Sequence, residues 1–165
     1  MTNSLVIRRA GVGDARNIVE AHHAAVREKA AAHYPAEVIN AWAPEEISDA
    51  RVAKLEDHIA GEEFLTLVAE LGGQIIGFGQ VNASKNVLGA VYVRKNPVGG
   101  VGERILTELI AHAKAQGCRF LAMDSSTNAE AFYRRNGFRV TGYGKHYISS
   151  AKIDMDCVHM MLKMD

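Results

Sequence analysis

The sequence predicts a mixed α/β domain built on a partly antiparallel sheet. Three observations lead there. Helical patterning dominates the first 60 residues, behind one short strand signal. Apolar runs of strand length then follow one another across short polar or glycine turns, as in a meander. Last, a strand, a long amphipathic helix and a second buried strand occur in succession, the pattern of a crossover.

Residues 5–10 read as a strand ending at Gly11 and Gly13. Asp14 is the expected N-cap of a helix over 15–32, where many alanines favour the helical state. Residues 33–44 are broken by Pro35 and Pro44 and hold the single tryptophan, Trp42, so a loop or short helix is expected. A second helix is expected over 45–60, with Val52, Leu55 and Ile59 on one face and Gly61 as its stop. The apolar period then shortens. Residues 64–71 and 74–81 read as strands joined by Gly72-Gly73, a two-residue hairpin signal. A polar turn over 82–86 leads to a third strand over 87–93. Ile105, Leu106, Leu109, Ile110 and Ala113 share one stripe of the next helix, closed by Gly117. A buried strand over 120–123 follows, and the crossover makes it the expected parallel partner of 87–93. A short helix over 129–136, a strand over 138–143 and a last strand over 157–164 complete the chain.

The 165 residues are 48% hydrophobic and 23% charged, enough for one well-cored domain and short for two. No repeat, low-complexity segment or linker marks a boundary, so one domain over 1–165 is expected. Lys+Arg and Asp+Glu balance at 19 each, which gives no electrostatic footprint for sequence-blind nucleic-acid binding. Arg134 and Arg135 are expected on the wet face of a helix. No leader pattern and no apolar run of membrane-spanning length is present, so a cytoplasmic protein without a membrane partner is expected. Cys118 and Cys157 lie in or beside apolar strand patterns and read as buried, reduced thiols.

Chemistry concentrates in two stretches. The first is the turn Val98-Gly99-Gly100-Val101-Gly102, with Glu103 following, between the third strand and the long helix. The first turn of a helix carries N–H groups without intrahelical partners at its positive end, so it suits a pyrophosphate. Glycines let the phosphates approach and permit positive φ. A mononucleotide P-loop would need a lysine followed by Ser or Thr, which are lacking. A dinucleotide fold would need a third glycine where Ile105 stands, although Asp124 lies at a distance suited to its ribose-binding acid. A glycine-rich turn with no ligand is the remaining alternative. The second stretch is Asn128-Ala129-Glu130-Ala131-Phe132-Tyr133-Arg134-Arg135-Asn136-Gly137-Phe138. By itself it could be an amphipathic helix with Phe132 inward, Gly137 as its cap and Phe138 opening a strand.

Together, in this order and separation, the two stretches resemble the GCN5-related N-acetyltransferase (GNAT) family. Gly100 and Gly102 match the glycines of the family's Arg/Gln-x-x-Gly-x-Gly/Ala turn, with Pro97 where Arg or Gln is usual. Ala131-Phe132-Tyr133 and Gly137-Phe138 match the core of its second motif. The resemblance covers roughly residues 64 to 143. It implies the acyl-CoA acyltransferase fold, a mostly antiparallel sheet flanked by helices, and a possible homodimer. It also implies direct transfer of an acetyl group from acetyl-CoA to the amine of a small molecule or protein within a ternary complex, without a metal.

The resemblance further implies residue roles. Tyr92, Val93, Val98, Gly99, Gly100, Val101, Gly102, Glu103, Asn128 and Tyr133 would contact the cofactor. A backbone N–H of Tyr92 or Val93 would stabilise the oxyanion. Tyr133 would protonate the departing thiolate, since phenol and thiol have reference pKa values of about 10 and 8.5. Asn128 would reach the pantetheine. The family's usual Glu on the third strand is missing from Val87-Leu88-Gly89-Ala90, which leaves Glu70, Glu103, His22 and His23 as candidate bases. His23, Tyr34, Trp42 and His146, with Tyr147, Asp154 and Asp156 nearby, are candidates for the acceptor pocket, while Tyr34 and Trp42 could equally cap the core. Two other readings stay open: a non-catalytic acyl-CoA-binding module, which needs the turn but not Tyr133, and a nicotinamide-binding domain.

Overall fold

In a computed structural model, which describes residues 4–165, seven strands form one sheet in the order β1-β2-β3-β4-β5-β7-β6. The strands are β1 (Leu5–Arg9), β2 (Leu65–Leu71), β3 (Gln74–Asn82), β4 (Val87–Val93), β5 (Phe120–Ser126), β6 (Arg139–Ile148) and β7 (Ile153–Lys163). The helices are α1 (Ala15–Lys29), α2 (Ala36–Trp42), α3 (Asp49–Ala60), α4 (Val101–Ala115) and α5 (Glu130–Arg135). All neighbouring strands are antiparallel except β4 and β5. The expected mixed, mostly antiparallel architecture is the one observed.

Strand alternation divides the core between the two sheet faces. Leu67, Ala69 and Ile76 turn to one side, where Ile105, Leu106, Leu109 and Ala113 of α4 cover them. Val68, Ile75 and Phe78 turn to the other, against Ile18 and Ala21 of α1. The predicted stripe of α4 is the buried one, with Ile110 packed at its margin. Gly72 and Gly73 both adopt positive φ, as their two-residue hairpin requires.

Several local expectations change. Asp14 does not cap α1 with its side chain. A 3₁₀ turn, Val12–Asp14, precedes the helix, and the Asp14 carboxylate accepts from the Gly11 N–H (2.7 Å) and binds the Arg8 guanidinium (2.8 Å). The helix expected from residue 45 starts at Asp49, because the Ser48 hydroxyl accepts from the Arg51 N–H and fixes that end. The segment around Trp42 forms the short helix α2, with Pro35 just ahead of its first turn. β5, β6 and β7 run longer than their apolar cores, because ladder pairing carries polar residues such as Asp124, His146 and Asp154 along with the strands. β7 lies inside the sheet between β5 and β6, so it offers no free edge to a partner.

One feature of the sheet positions the site. β4 and β5 are paired only at Val87↔Ala122, where the Ala122 N–H donates to the Asn86 carbonyl (2.9 Å). Past that point β4 follows β3 and β5 follows β7, and the two strands diverge.

Candidate active site

The divergence of β4 and β5 opens a cavity of about 530 Å³. It is walled by β4 through Val93, the first turn of α4, the end of β5, α5, and Ala25, Val26 and Lys29 of α1 with Trp42. Both sequence stretches reach it. Val98, Gly100, Val101, Gly102 and Glu103 line it from one side, and Asn128, Phe132 and Tyr133 from the other.

Gly100 is the residue preceding α4 and has φ +75, ψ 14, a left-handed conformation that suits glycine. The first bond of the helix runs from the Arg104 N–H to the Gly100 carbonyl (3.1 Å), and no side chain caps the end. The N–H groups of Val101, Gly102 and Glu103 therefore have no intrahelical partner at the positive end of the dipole. Lys29, Arg94, Lys95 and Arg135 add cationic side chains to the same wall. Arg135, expected on a wet face, is thus part of the cavity, whereas Arg134 is tied to Glu130 at 2.8 Å. Gly102 has a packing role: a Cβ there would lie 3.2 Å from Phe132 Cζ, so its absence lets α5 close against α4. Gly99 has open space around it and lies off the wall.

The edge of β4 that faces the cavity follows from strand alternation. The Arg94 N–H donates to Ile76 on β3 (2.9 Å), so the Val93 N–H turns the opposite way, toward the gap. The Val91 backbone on that edge sits beside the Tyr133 hydroxyl. Tyr133 is 3% exposed, with its ring against Phe132 and Phe138. Burial pushes its phenol well above the ordinary tyrosine value. The near balance with a thiol expected from reference values therefore does not hold; this phenol keeps its proton. Asn128 also faces the cavity, and its Oδ1 is buried without a partner, an acceptor waiting for a donor.

The acceptor-side candidates divide. Trp42 lines the cavity. Tyr34 instead ties elements together, its hydroxyl donating to the Asp156 carbonyl (2.6 Å) and accepting from the Thr127 N–H (2.8 Å). His23 is buried on α1, off the wall, with both ring nitrogens unpartnered. His146 is exposed on β6, away from the cavity, and Tyr147 is exposed beside it. Of the candidate bases, Glu70 is held by Arg8 at 2.8 Å. His22 is 5% exposed, edge-on to Tyr92 at 4.5 Å, with Arg51 Nη2 3.3 Å from its Nδ1. Burial first, then Arg51 and His23, hold His22 well below the usual imidazole range. Tyr92 points its ring into this aromatic group and, through burial, its phenol is pushed up to about 12. Only Glu103 of these bases lies on the cavity wall.

Sequence reasoning passed over Asp124 as a wall residue because the apolar run ends at Met123. The alternation Leu121, Met123, Ser125 inward continues the strand through it and is the signal that would have found it. Asp124 lies in the wall, hydrogen bonded to His159 Nδ1 at 2.6 Å. Nothing in the local pattern marks Lys29 or Arg94, which helix packing and strand divergence bring to the site. Ile105, where a dinucleotide fold places its third glycine, is fully buried core, and the sheet is mostly antiparallel; the nicotinamide reading is set aside on both counts. Among the described residues, no helix is long and apolar enough to cross a membrane.

Comparison with known proteins agrees with this geometry. No curated protein matches the chain. A structure from Rhodopseudomonas palustris, described as a GCN5-related N-acetyltransferase (aminotransferase, class II), superposes with a TM-score of 0.85 at 25% identity, covering 99% of both chains. The PaiA N-acetyltransferase of Thermoplasma acidophilum, solved in complex with coenzyme A, gives 0.77 at 22% identity, over 97% of this chain and 99% of that one. A Salmonella typhimurium chain solved with its cofactor acetyl-CoA gives 0.69 at 22% identity, over 98% and 95%. A family model described as the acetyltransferase (GNAT) domain matches residues 30–157. The chain belongs to the GNAT acetyltransferase family.

Proposed function

We propose that the chain, acting as a single domain, transfers the acetyl group of acetyl-CoA to an amine by direct attack within a ternary complex. One observation carries this reading: the uncapped N-terminus of α4, the unpaired edge of β4 and the Tyr133 hydroxyl all face one cavity. Acetyl-CoA supplies a thioester, an acyl carbon with a good leaving group. The residues present fit such a group. The Val101, Gly102 and Glu103 amides, with Lys29, Lys95, Arg94 and Arg135 near them, suit a pyrophosphate and a further phosphate. Asn128 Oδ1 offers the acceptor that a pantetheine amide N–H needs.

The Val93 N–H, turned into the gap, donates to the acyl oxygen as negative charge grows there. The Tyr133 hydroxyl donates a hydrogen bond to the departing sulfur; its raised pKa favours donation over complete proton transfer. Trp42 and the α1 residues Ala25 and Val26 wall the acceptor side and keep water from it. The free thiols Cys118 and Cys157 support a cytoplasmic setting. A homodimer, if formed through the sheet, would use β1 or β6, its two edge strands.

The test pairs calorimetric binding of CoA with thiol release from acetyl-CoA across a panel of small amines, polyamines and peptide N-termini. CoA binding together with amine-dependent thiol release is the expected result. No binding of CoA would overturn the proposal. Binding without release to any amine would leave a regulatory acyl-CoA-binding module in its place.

A further inference from the structure

We propose that Asp124 and His159 act as a pair on the acceptor amine: the Asp124 carboxylate holds the ammonium in the cavity, and the His159 imidazole takes the proton it must lose. This deepens the proposed function and rests on it.

Elimination leads to Asp124 first. Among the described residues, the cavity wall carries two carboxylates, Glu103 and Asp124. Glu103 sits in the first turn of α4, among the amides assigned to the phosphates. Asp124 stands on β5, and one of its oxygens is engaged by a single partner, His159. A protonated amine entering this wall finds its counter-charge there.

The pair is built into the sheet. Asp124 and His159 are direct register partners on β5 and β7, and His159 Nδ1 lies 2.6 Å from Asp124 Oδ1. With the carboxylate accepting, Nδ1 carries the hydrogen, and Nε2 is left as a free acceptor. Its surroundings keep it free. A Cβ on Gly144 of β6 would lie 2.5 Å from Nε2, and one on Gly142 would lie 3.7 Å from the ring. Two glycines thus open a notch in front of the acceptor nitrogen. The groups facing the ring are Asp124 from β5 and Cys157 from its own strand, whose donor atoms lie within 4.8 Å of one another, while β6 presents only Gly142 and Gly144. His159 and Asp124 have side chains 42% and 50% exposed, so a proton taken up here can pass to solvent.

The step balances without a further reagent. One N–H bond of the ammonium breaks and an Nε2–H bond forms, directly or across one water. The electron pair left on nitrogen makes the new C–N bond to the acyl carbon, and the C–S bond breaks with its pair on sulfur. Asp124 stabilises the imidazolium through Nδ1–H until Nε2–H is released to water.

The experiment compares the parent with His159→Asn, Asp124→Asn and Gly144→Ala, using the best amine of the panel at saturating acetyl-CoA. His159→Asn keeps a donor for Asp124 but removes the acceptor nitrogen. Its kcat/KM for the amine is expected to fall about 10²- to 10⁴-fold. The parent's decline on the acid side, across about pH 7.5 to 5.5, should disappear in this variant. Asp124→Asn should act chiefly on KM for the amine. Gly144→Ala, which fills the notch without touching either partner, should lower kcat/KM by about tenfold, with CoA affinity by calorimetry unchanged in all three. Parent rates and pH profile in both His159→Asn and Gly144→Ala would overturn the assignment and leave the acetyltransferase reading standing. A parent that binds CoA but acetylates no amine, or does not bind it, would overturn both.

Discussion

Replacing Tyr133 by Phe removes one oxygen from a ring that the fold otherwise holds in place. The ring is 3% exposed and packs against Phe132 (centroids 5.0 Å apart) and Phe138 (5.6 Å), contacts that phenylalanine retains. The hydroxyl has only the Val91 backbone beside it, so its loss should cost stability no more than about 1 kcal/mol. The catalytic loss should be larger. A donor aimed at charge that develops during reaction, in a site sheltered from water, is worth about 2.7–4 kcal/mol, a factor of 10² to 10³ in kcat. Because burial raises the phenol above its ordinary value of about 10, the group stays protonated throughout the working range and should add no alkaline decline below about pH 10. Steady-state thiol release gives kcat and KM, calorimetry gives CoA affinity, and a urea melt checks the fold. The expected result is kcat down by two to three orders of magnitude with CoA affinity held. A kcat within about threefold of the parent, in a protein of equal stability, would refute the role given to the hydroxyl.

Two further outcomes follow from the same geometry. Gly100→Ala forces an alanine into φ +75, at a cost of about 1–2 kcal/mol, and should weaken CoA binding by about tenfold; Gly99→Ala, in open space with ordinary φ, should change neither melt nor affinity, and equal effects of the two would contradict the cradle. His22 is held neutral in the fold, so the unfolded chain takes up its proton first as pH drops below about 6.5, and folding weakens by up to about 1.4 kcal/mol per pH unit. In His22→Gln that slope should be missing between about pH 6.5 and 5; urea midpoints that fall in parallel for parent and variant would show that His22 titrates normally in the fold.

Much of this fold was readable because its signals are local. The helical stripe of α4, the Gly72-Gly73 hairpin and the two motif stretches depend on spacings of a few residues, and each survives into the structure. Boundaries were harder to read. Asp14 satisfies the start of the first helical turn and also Arg8, a partner that a pattern search along the helix does not see. β5 and β7 extend through polar residues because a ladder partner, and not hydrophobicity, keeps them extended. The acceptor side was hardest. Tyr34 and His23 have the residue types of a binding pocket, yet one serves as a tie between segments and the other is packed away, a distinction made by neighbours distant along the chain.

The sequence by itself determined the element order, the mixed sheet, the family likeness and the chemistry of the cofactor end, since amides at a helix start and a phenol on a short helix are specified within single segments. The tertiary structure alone decided where those segments meet. It parted β4 from β5 to make the cavity, let Phe132 close on Gly102, and set Asp124 beside His159, 35 positions away in the chain. Such pairings come from strand register and twist, which are settled by the whole sheet at once, and a reading that moves along one segment at a time has no access to them.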